Sequence, residues 1–360
     1  MTDEEALDLI LTRATSPWMD GSGHLADVVL SSRVRLARNL KDIPFPHLLQ
    51  EDDARDLMLK VKTAVDSVKR KGSWGVLHFV DLESLAPLDR MVLVEKHLIS
   101  PQHAQPGKGK GLAFREDEAL DIMVNEEDHI RLQCLYSGLE LEEAWVAASG
   151  MDDLLEEVLP FAYSERLGYL TACPTNAGTG LRASVMVHLA GLSMAGQVGR
   201  VLTAVNKVGL VVRGLYGEGT EGQGNVFQIS NQITLGQTEK EIIENLSTVA
   251  QQVVSEEKRM RETLLRSNRH EVEDRIWRSM GILSNARALT SKEAMKLWSD
   301  VRMGVDTGII PHLTVGEINE VMVMSRPNFV QKVSGREMSP SERDMKRAEM
   351  IRNHLAATSQ

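Results

Sequence analysis

The chain has 360 residues, of which 42% are hydrophobic and 26% charged, and its formal net charge is −10. This composition is that of an ordinary globular protein, its acidity argues against a general nucleic-acid binder, and no apolar run is long enough to span a bilayer. Two cysteines, Cys134 and Cys173, are too few for a disulfide framework, and the acidic N-terminus is not typical of a secretory signal. We expect a cytoplasmic protein of one or two domains.

Hydrophobic spacing predicts a mixture of helices and strands over the first 266 residues. The predicted helix at 50–71, for example, carries apolar residues at helical spacing, including Leu57, Val61 and Val68. Strands are predicted where apolar and polar residues alternate. The predicted elements are helix 1–12, strand 27–36, helix 50–71, strand 75–80, helix 87–99, strands 120–124 and 130–136, helices 139–159 and 193–205, strands 207–213 and 226–234, and helix 238–266. This pattern indicates an α+β domain with a sheet at its centre.

The remainder of the chain is predicted to be helical. The helices are expected at 272–283, 291–305, 315–324 and 340–355, with no strand among them. The last of these has a clear start signal, because Ser339, Pro340 and Glu342 form the pattern of a capping box. We therefore expect an all-helical C-terminal domain.

A stretch from Cys173 to Ser184 brings together residues with chemical potential. A thiol, two glycines and an arginine, Arg182, lie within ten positions of each other. Glycines allow a backbone to approach a ligand closely, arginine forms forked hydrogen bonds with phosphate, and a cysteine near positive charge becomes a reactive thiolate. The alternative is a strand-to-helix turn with an inert, buried Cys173.

Three further motifs carry arginines that suit a nucleotide polyphosphate. They are Ser31-Ser32-Arg33-Val34-Arg35, the acidic segment 125–131 that ends in Arg131, and the segment 213–219 that begins with Arg213. Each arginine is expected at or beside a strand end or loop. Phosphoryl transfer needs such positive charge around the phosphates. Neither the phosphate loop of common nucleotidases nor the catalytic loop of protein kinases is present. A single arginine is most simply a solvated surface charge, but five in separate motifs favour a phosphate site.

Three carboxylates indicate what accepts the phosphoryl group. Glu126, Glu127 and Glu218 lie in two of the arginine motifs. A guanidinium has a pKa above about 12, so phosphorylating it requires a carboxylate that orients it and removes a proton. Two carboxylates from separate loops fit that task. The alternative for Glu126 and Glu127 is an exposed acidic turn, and single histidines such as His97 and His129 are more often structural.

At these residues the sequence resembles the guanidino (phosphagen) kinase family over residues 24–255. The resemblance is specific, because four motifs occur in the family's order. It implies an ATP- and Mg²⁺-dependent enzyme with an antiparallel sheet flanked by helices. By resemblance, Glu127 is the catalytic carboxylate, Glu218 a second substrate carboxylate, Cys173 the substrate-site cysteine, and Glu126 the carboxylate that contacts magnesium through water. The expected nucleotide-binding residues are Ser31, Ser32, Arg33, Val34, Arg35, His97, Arg131, Arg182, Ala183, Ser184, Val185, Met186, Arg213, Gly214, Leu215, Tyr216, Gly217 and Glu218.

The chain departs from the small-molecule members of that family in its short N-terminal part and at Met186, and also in its helical C-terminal extension. Those members carry about a hundred helical residues before the Ser-Ser-Arg motif, whereas only 30 residues precede it here. We expect a more open site that admits a larger substrate. In addition, Met186 occupies a position where many phosphagen kinases have a histidine beside the nucleotide base.

The second half of the resemblance lies in the predicted terminal helix. The motif Arg343-Asp344-Met345-Lys346-Arg347-Ala348 has two arginines four residues apart, on one helix face. An ordinary charged helix would explain it, but the motif is similar to the phosphoarginine pocket of bacterial protein-arginine kinases of the McsB type. That similarity implies an allosteric phosphoarginine pocket formed by Arg343, Asp344, Arg347 and Ala348. It also implies that the enzyme tags proteins for Clp-type proteolysis under stress.

The predicted organisation is therefore a short helical segment at 1–23, a guanidino-kinase catalytic domain at 24–255 and a helical domain at 256–360. The expected function is ATP-dependent phosphorylation of arginine side chains in proteins. The expected partners are arginine-bearing protein substrates, an activator protein and a Clp chaperone-protease, without direct binding to nucleic acid or membranes, and we expect a homodimer. Two alternatives remain: a small-molecule arginine kinase, and a phosphoarginine-binding adaptor.

Overall fold

The computed structural model describes residues 1–70, 74–214 and 222–358. Strands β1 to β10 are Val29–Arg38, Leu77–Asp81, Gly111–Arg115, Leu120–Val124, Ile130–Ser137, Tyr163–Ser164, Gly168–Tyr169, Leu181–His188, Leu210–Gly214 and Val226–Asn231. Helices α1 to α12 are Asp3–Thr12, Glu51–Arg70, Pro87–Glu95, Leu141–Glu156, Ala190–Met194, Val198–Lys207, Glu239–Ser267, Arg269–Asn285, Ser291–Asp306, Val315–Met324, Pro327–Ser334 and Pro340–Ala357.

Eight of these strands form one sheet, in the order β2-β3-β4-β5-β1-β8-β10-β9. All of its neighbouring strands are antiparallel, and β6 and β7 form a separate two-stranded ribbon. Helices cover the sheet, and α8 to α12 follow it in the chain without a further strand among the described residues. The predicted α+β fold with an antiparallel sheet and a helical C-terminal region is confirmed.

One face of the sheet is apolar and packs on helices. Side chains alternate between the two faces of a strand, so Val34, Leu132 and Val185 share this face and are fully buried. Helices α2, α4 and α7 supply the opposing residues. Helix α7 begins at a capping box formed by Thr238 and Glu241. Burying this face forms one hydrophobic core of the molecule.

The other face is covered only in part. A second core joins residues of this face, such as Leu135 and Met186, to helices α1, α3 and α8 to α12, with the fully buried Trp298 of α9 near its centre. His188, at the end of β8, hydrogen-bonds to Ser299 of α9. The C-terminal helices therefore share one core with the sheet. Polar residues occupy the part of this face that the helices leave uncovered.

The structure differs from the predicted elements where local signals were weak. The predicted helix at 193–205 is two helices, because the chain turns at Gly196 with a φ of 66°. Strand β8 is absent from the predicted elements. It lacks the alternation of apolar and polar residues that marks a strand, because every residue in it except Arg182 is buried. Helix α11 has no local capping side chain; the carboxylate of Glu95 accepts the backbone N–H groups of Asn328 and Phe329 instead.

The predicted C-terminal capping box between Ser339 and Glu342 is confirmed. The predicted domain boundary at 255 falls inside α7. No α-helix in the described part of the chain is long and apolar enough to cross a membrane.

Candidate active site

Strand register brings four of the predicted arginines onto one face of the sheet. Arg35 of β1 lies opposite Arg182 of β8, and Arg33 is two residues earlier on the same strand. On the other side of β1, Arg131 of β5 lies opposite Ala37. Residues that face each other on antiparallel strands point to the same side, and so do residues two apart on one strand. Arg33 and Arg35 were expected near a strand end but lie within β1.

The fifth arginine joins the same face from the edge strand. Arg213 of β9 lies opposite Gln228 of β10, which in turn lies opposite Met186 of β8. Met186 is four residues beyond Arg182 on that strand, so the side chains of Arg213 and Arg182 point to the same side. Arg213 is exposed at this rim of the site.

The positive charges of the arginine cluster repel one another. Burial lowers the pKa of Arg35 well below its ordinary value, and the positive charges of Arg33, Arg131 and Arg182 lower it further. The buried Nε of Arg35 has no hydrogen-bond partner among the described residues. Guanidinium groups packed this way favour binding of an anion with several oxygens, such as a polyphosphate.

The predicted catalytic groups lie near the same cluster. Burial lowers the pKa of Arg182, and the neighbouring Arg213 and Arg131 lower it too, whereas Cys173 and Glu127 act in the opposite direction. The thiol of Cys173 and the carboxylate of Glu127, which come from two separate loops, therefore lie near enough to Arg182 to raise its pKa. The structure brings together five of the predicted residues that come from distant parts of the sequence.

The two neighbouring glutamates differ in their surroundings. Glu126 is buried, and its oxygens accept hydrogen bonds from Ser100 at 2.6 Å and from the backbone of Glu127 at 2.8 Å, beside an ion pair with Arg131 at 2.6 Å. Burial raises the pKa of Glu126, but Arg131 and these hydrogen bonds outweigh it, so the pKa lies below its ordinary value. Glu127 pairs with Arg131 at 3.2 Å and keeps 35% of its side chain exposed. Glu127 is thus the carboxylate available to a substrate.

The acidic loop is held from below by buried polar groups. Asn125 adopts a φ of 57° and donates hydrogen bonds to the carbonyls of Ala54 and Gly109. The ring of His129 accepts the backbone N–H of Leu40 and contacts the carbonyl of Pro44 at 2.7 Å. His129 therefore has the structural role that its sequence context favoured.

Cys173 is half-buried, and its Sγ lies 3.0 Å from Oγ1 of Thr175. The glycines that follow it are required by the turn, since Gly178 has a φ of 106° and Gly180 a φ of 65°. A Cβ at Gly180 would meet the carbonyl oxygen of Ala37 at 2.6 Å. Cys134, by contrast, is fully buried on the apolar face, and burial raises its pKa. Cys173 is the accessible thiol of the described chain.

One crevice on the arginine face is lined by five of the predicted nucleotide-binding residues. They are His97, Ser31, Arg33, Ser184 and Met186. His97 adopts a φ of 64°, and burial, together with the charge of Arg33 and Arg326, lowers its pKa to about 3. The ring is therefore neutral at physiological pH, which suits it to pack beside an uncharged ring system.

Four other residues of the predicted nucleotide set point away from this crevice. Ser32 donates a hydrogen bond to the carbonyl of Gly138, and Val34, Ala183 and Val185 belong to the apolar core on the opposite face. Their side chains shape the strands and do not line the arginine face. Gly214 ends β9, whereas Leu215, Tyr216, Gly217 and Glu218 lie outside the described residues.

A cleft of about 480 Å³ opens beside the two glutamates. Its lining includes Glu126, Glu127 and Ala172, the residue before Cys173, together with His47 and Lys108. The described residues contain no cluster of three or more side chains suited to hold a metal ion directly.

The predicted phosphoarginine motif lies in α12. Arg347 is buried and donates hydrogen bonds to the carbonyls of Ser325 and Leu289, and it pairs with Asp344 at 2.6 Å. Burial lowers its pKa. Ala348 is fully buried, whereas Arg343 and Asp344 are partly exposed. Arg347 thus links α12 to the segment before α9 and to the end of α10.

Sequence reasoning missed several residues that support the site. Ser100 and His103 support Glu126 through two consecutive hydrogen bonds. The backbone N–H of His103 donates to the hydroxyl of Ser100, and this hydroxyl donates to the carboxylate of Glu126. Asn39 and Asp128 join the acidic loop to the cysteine loop. Asp128 belongs to the acidic motif, so its position was a usable signal, but no local pattern marks the other three.

Comparisons with known proteins agree with this geometry. Residues 56–260 match the family model described as ATP:guanido phosphotransferase, C-terminal catalytic domain, and residues 269–360 match that of the protein-arginine kinase McsB C-terminal domain. The chain is 50% identical over 346 residues to the protein-arginine kinase of Halothermothrix orenii, covering 96% of this chain and 98% of that protein. It is 51% identical over 348 residues to that of Symbiobacterium thermophilum, covering 97% and 99%.

Solved structures of guanidino kinases share the fold. A lombricine kinase superposes with a TM-score of 0.56 at 24% identity, covering 66% of this chain and 68% of that one. The duplicated taurocyamine kinase of Schistosoma mansoni gives 0.58 at 24% identity, covering 74% and 38%. These structures show the fold, whereas the sequence relatives, which match over nearly their full length, show the family. The chain is a phosphotransferase that belongs to the ATP:guanido phosphotransferase family and, within it, to the protein-arginine kinases.

Proposed function

We propose that this protein transfers the γ-phosphoryl group of ATP to arginine side chains of other proteins. The observation that carries the proposal is the arginine cluster on one face of the sheet, with the carboxylate of Glu127 held beside it by an ion pair to Arg131 at 3.2 Å. A cluster of fixed cations and an adjacent exposed carboxylate are what transfer to a guanidinium requires. The names of the near full-length relatives support the choice of a protein substrate.

The arginines hold the nucleotide phosphates in this proposal. Arg33, Arg35, Arg131 and Arg182 share one face of the sheet, and their mutual repulsion is relieved when phosphate oxygens bind between them. Magnesium, when bound, neutralises charge on the transferring group. Glu126, which accepts hydrogen bonds from Ser100 and from the backbone of Glu127, would be the protein group that holds this ion, through water.

Glu127 orients the target guanidinium and takes its proton. Its side chain is exposed beside the cleft, and its ion pair with Arg131 leaves it at the edge of the arginine cluster. Cys173, in the loop before β8, supplies a further polar contact to the target guanidinium. Glu218, the expected second carboxylate, belongs to the segment outside the described residues, and its role as a clamp on the guanidinium remains part of the proposal.

A direct competition decides between a protein substrate and free arginine. We expect an arginine-rich protein, mixed with free arginine and ATP, to carry the phosphate. Mass spectrometry under conditions that preserve acid-labile N–P bonds locates the product. Efficient phosphorylation of free arginine alone would overturn the proposal in favour of a small-molecule kinase, and phosphoarginine binding without ATP consumption would favour an adaptor.

The C-terminal helices add a regulatory proposal. We infer that Arg343 and Asp344, partly exposed on α12, form an allosteric phosphoarginine site with Arg347 and Ala348, as the match of residues 269–360 supports. The proposed biological role is to mark proteins for Clp-type proteolysis in the cytoplasm during stress, with an activator protein. Calorimetric titration with phosphoarginine tests the site.

The proposed assembly is a homodimer. Trp277 and Ile282 of α8 expose 46% and 42% of their surface, which is large for apolar side chains on a helical domain. Burial of such residues between two copies is consistent with a symmetric interface. Sedimentation equilibrium tests the assembly, and a monomer at micromolar concentration would contradict it.

A further inference from the structure

Two buried side chains, Asn39 and Asp128, form a clamp beneath the candidate active site. Asn39 Nδ2 donates a hydrogen bond to Asp128 Oδ1 at 2.7 Å, and Asn39 Oδ1 accepts the backbone N–H of His129 at 2.9 Å. The backbone N–H of Ala172 donates to the same Asp128 oxygen at 2.7 Å. Asn39 is 1% exposed and Asp128 0%. The clamp therefore joins three segments that are distant in sequence.

The first segment is the end of β1, which the clamp connects to the ribbon that precedes the cysteine. Asn39 Nδ2 donates a second hydrogen bond to the carbonyl of Leu170, and the Asn39 carbonyl accepts the N–H of Ala162. The N–H of Leu170 in turn donates to the carbonyl of Ala162. Beyond it, Thr171 Oγ1 donates to the carbonyl of Cys173 at 2.7 Å. One asparagine thus fixes the approach to the cysteine loop.

The positions of the clamped atoms matter because of their neighbours in the chain. Asp128 follows Glu127 directly, and Ala172 directly precedes Cys173. Consecutive Cα atoms are about 3.8 Å apart. One hydrogen bond, from the backbone N–H of Ala172 to the side chain of Asp128, therefore connects the residue next to the proposed base with the residue next to the proposed thiol contact. A shift at either side of the bond moves one group relative to the other.

We propose that Asn39 and Asp128 are positioning residues that set the separation between Glu127 and Cys173. The proposal rests on the roles given above to those two groups. Neither clamp residue lines the cleft or the crevice, so neither acts on substrate directly. Asp128 Oδ2 is buried without a hydrogen-bond partner among the described residues, while Oδ1 accepts two. An arrangement that leaves a buried carboxylate oxygen unsatisfied is costly, and the precise joining of two loops explains its presence.

Alkylation of Cys173 gives a readout of the clamp that does not depend on activity. Cys173 is the half-buried thiol, whereas Cys134 is buried and serves as an internal negative control. Asn39→Ala removes three hydrogen bonds from the clamp and loosens the cysteine loop. We expect iodoacetamide to modify Cys173 about 3-fold faster or more in this variant, because local opening exposes the thiol.

The kinetic readout separates positioning from general destabilisation. We expect Asn39→Ala to lower kcat about 30-fold, as a small misplacement of reacting groups does, and to leave the affinity for ATP within about 2-fold. The matched control is Asn319→Ala. Asn319 is an equally buried asparagine that donates to the carbonyl of Met19 and accepts from Arg302, far from the site. That control is expected to lower thermal stability without changing kcat or Cys173 alkylation.

A second pair of variants keeps the test decisive if Asn39→Ala folds poorly. Asp128→Asn retains an oxygen that accepts both hydrogen bonds, whereas Asp128→Ala removes it. A positioning role predicts that Asp128→Asn keeps kcat within about 3-fold of the wild type and that Asp128→Ala loses it. Equal losses in both variants, or unchanged Cys173 alkylation in Asn39→Ala and Asp128→Ala, would overturn the proposal. Full activity of Glu127→Gln would instead refute the proposed function, and the alkylation result would still report whether the clamp holds the loop.

Discussion

Arg35 and Arg182 lie directly opposite each other on neighbouring antiparallel strands. Two like charges at such a cross-strand pair destabilise a sheet, and the partial burial of Arg35, which lowers its pKa, adds to the cost. The fold tolerates this repulsion at the place where a polyphosphate is proposed to bind. Stability and ligand binding therefore compete at this pair of residues.

Replacing Arg35 by methionine should make the unliganded protein more stable and weaken its binding of ATP. Methionine has a similar length and removes the partly buried charge. We expect the thermal midpoint to rise and the dissociation constant for ATP to increase at least about 10-fold. Scanning and titration calorimetry measure the two effects. Arg259→Met, at an exposed position of α7, is the control, and an unchanged ATP affinity in Arg35→Met would contradict the assignment.

Replacing Glu127 by glutamine should abolish turnover and spare nucleotide binding. The amide keeps the size of the side chain but does not accept the guanidinium proton, so we expect kcat to fall about 100-fold or more. The affinity for ATP should stay within about 2-fold. Phosphoarginine formation is measured by mass spectrometry without acid treatment. Glu142→Gln, on the exposed face of α4, controls for the loss of one charge; near-normal turnover in Glu127→Gln would remove its catalytic role.

The two arginines of the proposed phosphoarginine site in α12 should differ in how much each contributes to stability. Arg347 donates to the carbonyls of Leu289 and Ser325, so Arg347→Ala leaves buried acceptors unpaired and should cost about 2–4 kcal/mol of unfolding free energy. Arg343→Ala should change stability by less than about 0.5 kcal/mol and abolish phosphoarginine binding. Urea unfolding and calorimetric titration distinguish them. Equal destabilisation by both variants would show that the motif is structural throughout.

His103 should make stability depend on pH. Burial lowers its pKa from 6.5 to about 4, although its contacts with Gly111 and Glu126 oppose this. Because the folded pKa is below the unfolded one, the unfolded chain binds the proton first as the pH falls. The contribution of neutral His103 to the free energy of unfolding is therefore complete above about pH 6.5. It is lost as the pH falls towards about 4, and the loss is at most about 3 kcal/mol. As the pH falls across this range, the urea midpoint should decrease less steeply in His103→Gln than in the wild type. The control is His270→Gln, at an exposed position, which should keep the wild-type dependence of the midpoint on pH. The same dependence in all three proteins would exclude the effect.

Features with a local cause were predictable from the sequence, and features with a tertiary cause were not. The capping box at Ser339 depends on residues three apart, and it was found. Helix α11 takes its cap from Glu95, more than two hundred positions away, so no local pattern marks its start. The arginine motifs are visible in the sequence, but the placement of Arg33 and Arg35 within β1, opposite β8, follows from strand pairing.

The supporting residues of the site show the same division. Glu127 and Cys173 were identified because each stands in a recognisable motif. Asn39 follows an arginine at the end of β1, and its importance comes only from the loops that fold over it. Single-sequence patterns record which groups perform chemistry more readily than which groups hold them in place.

The core shared by the sheet and the C-terminal helices has a practical consequence. Trp298 and Met295 of α9 pack against Gly224, immediately after the segment that carries Glu218. An excised fragment ending at residue 255 would expose this apolar surface to water and invite aggregation. The tail is therefore not a detachable module, and exchanging it between relatives requires transplanting the matching sheet surface along with it.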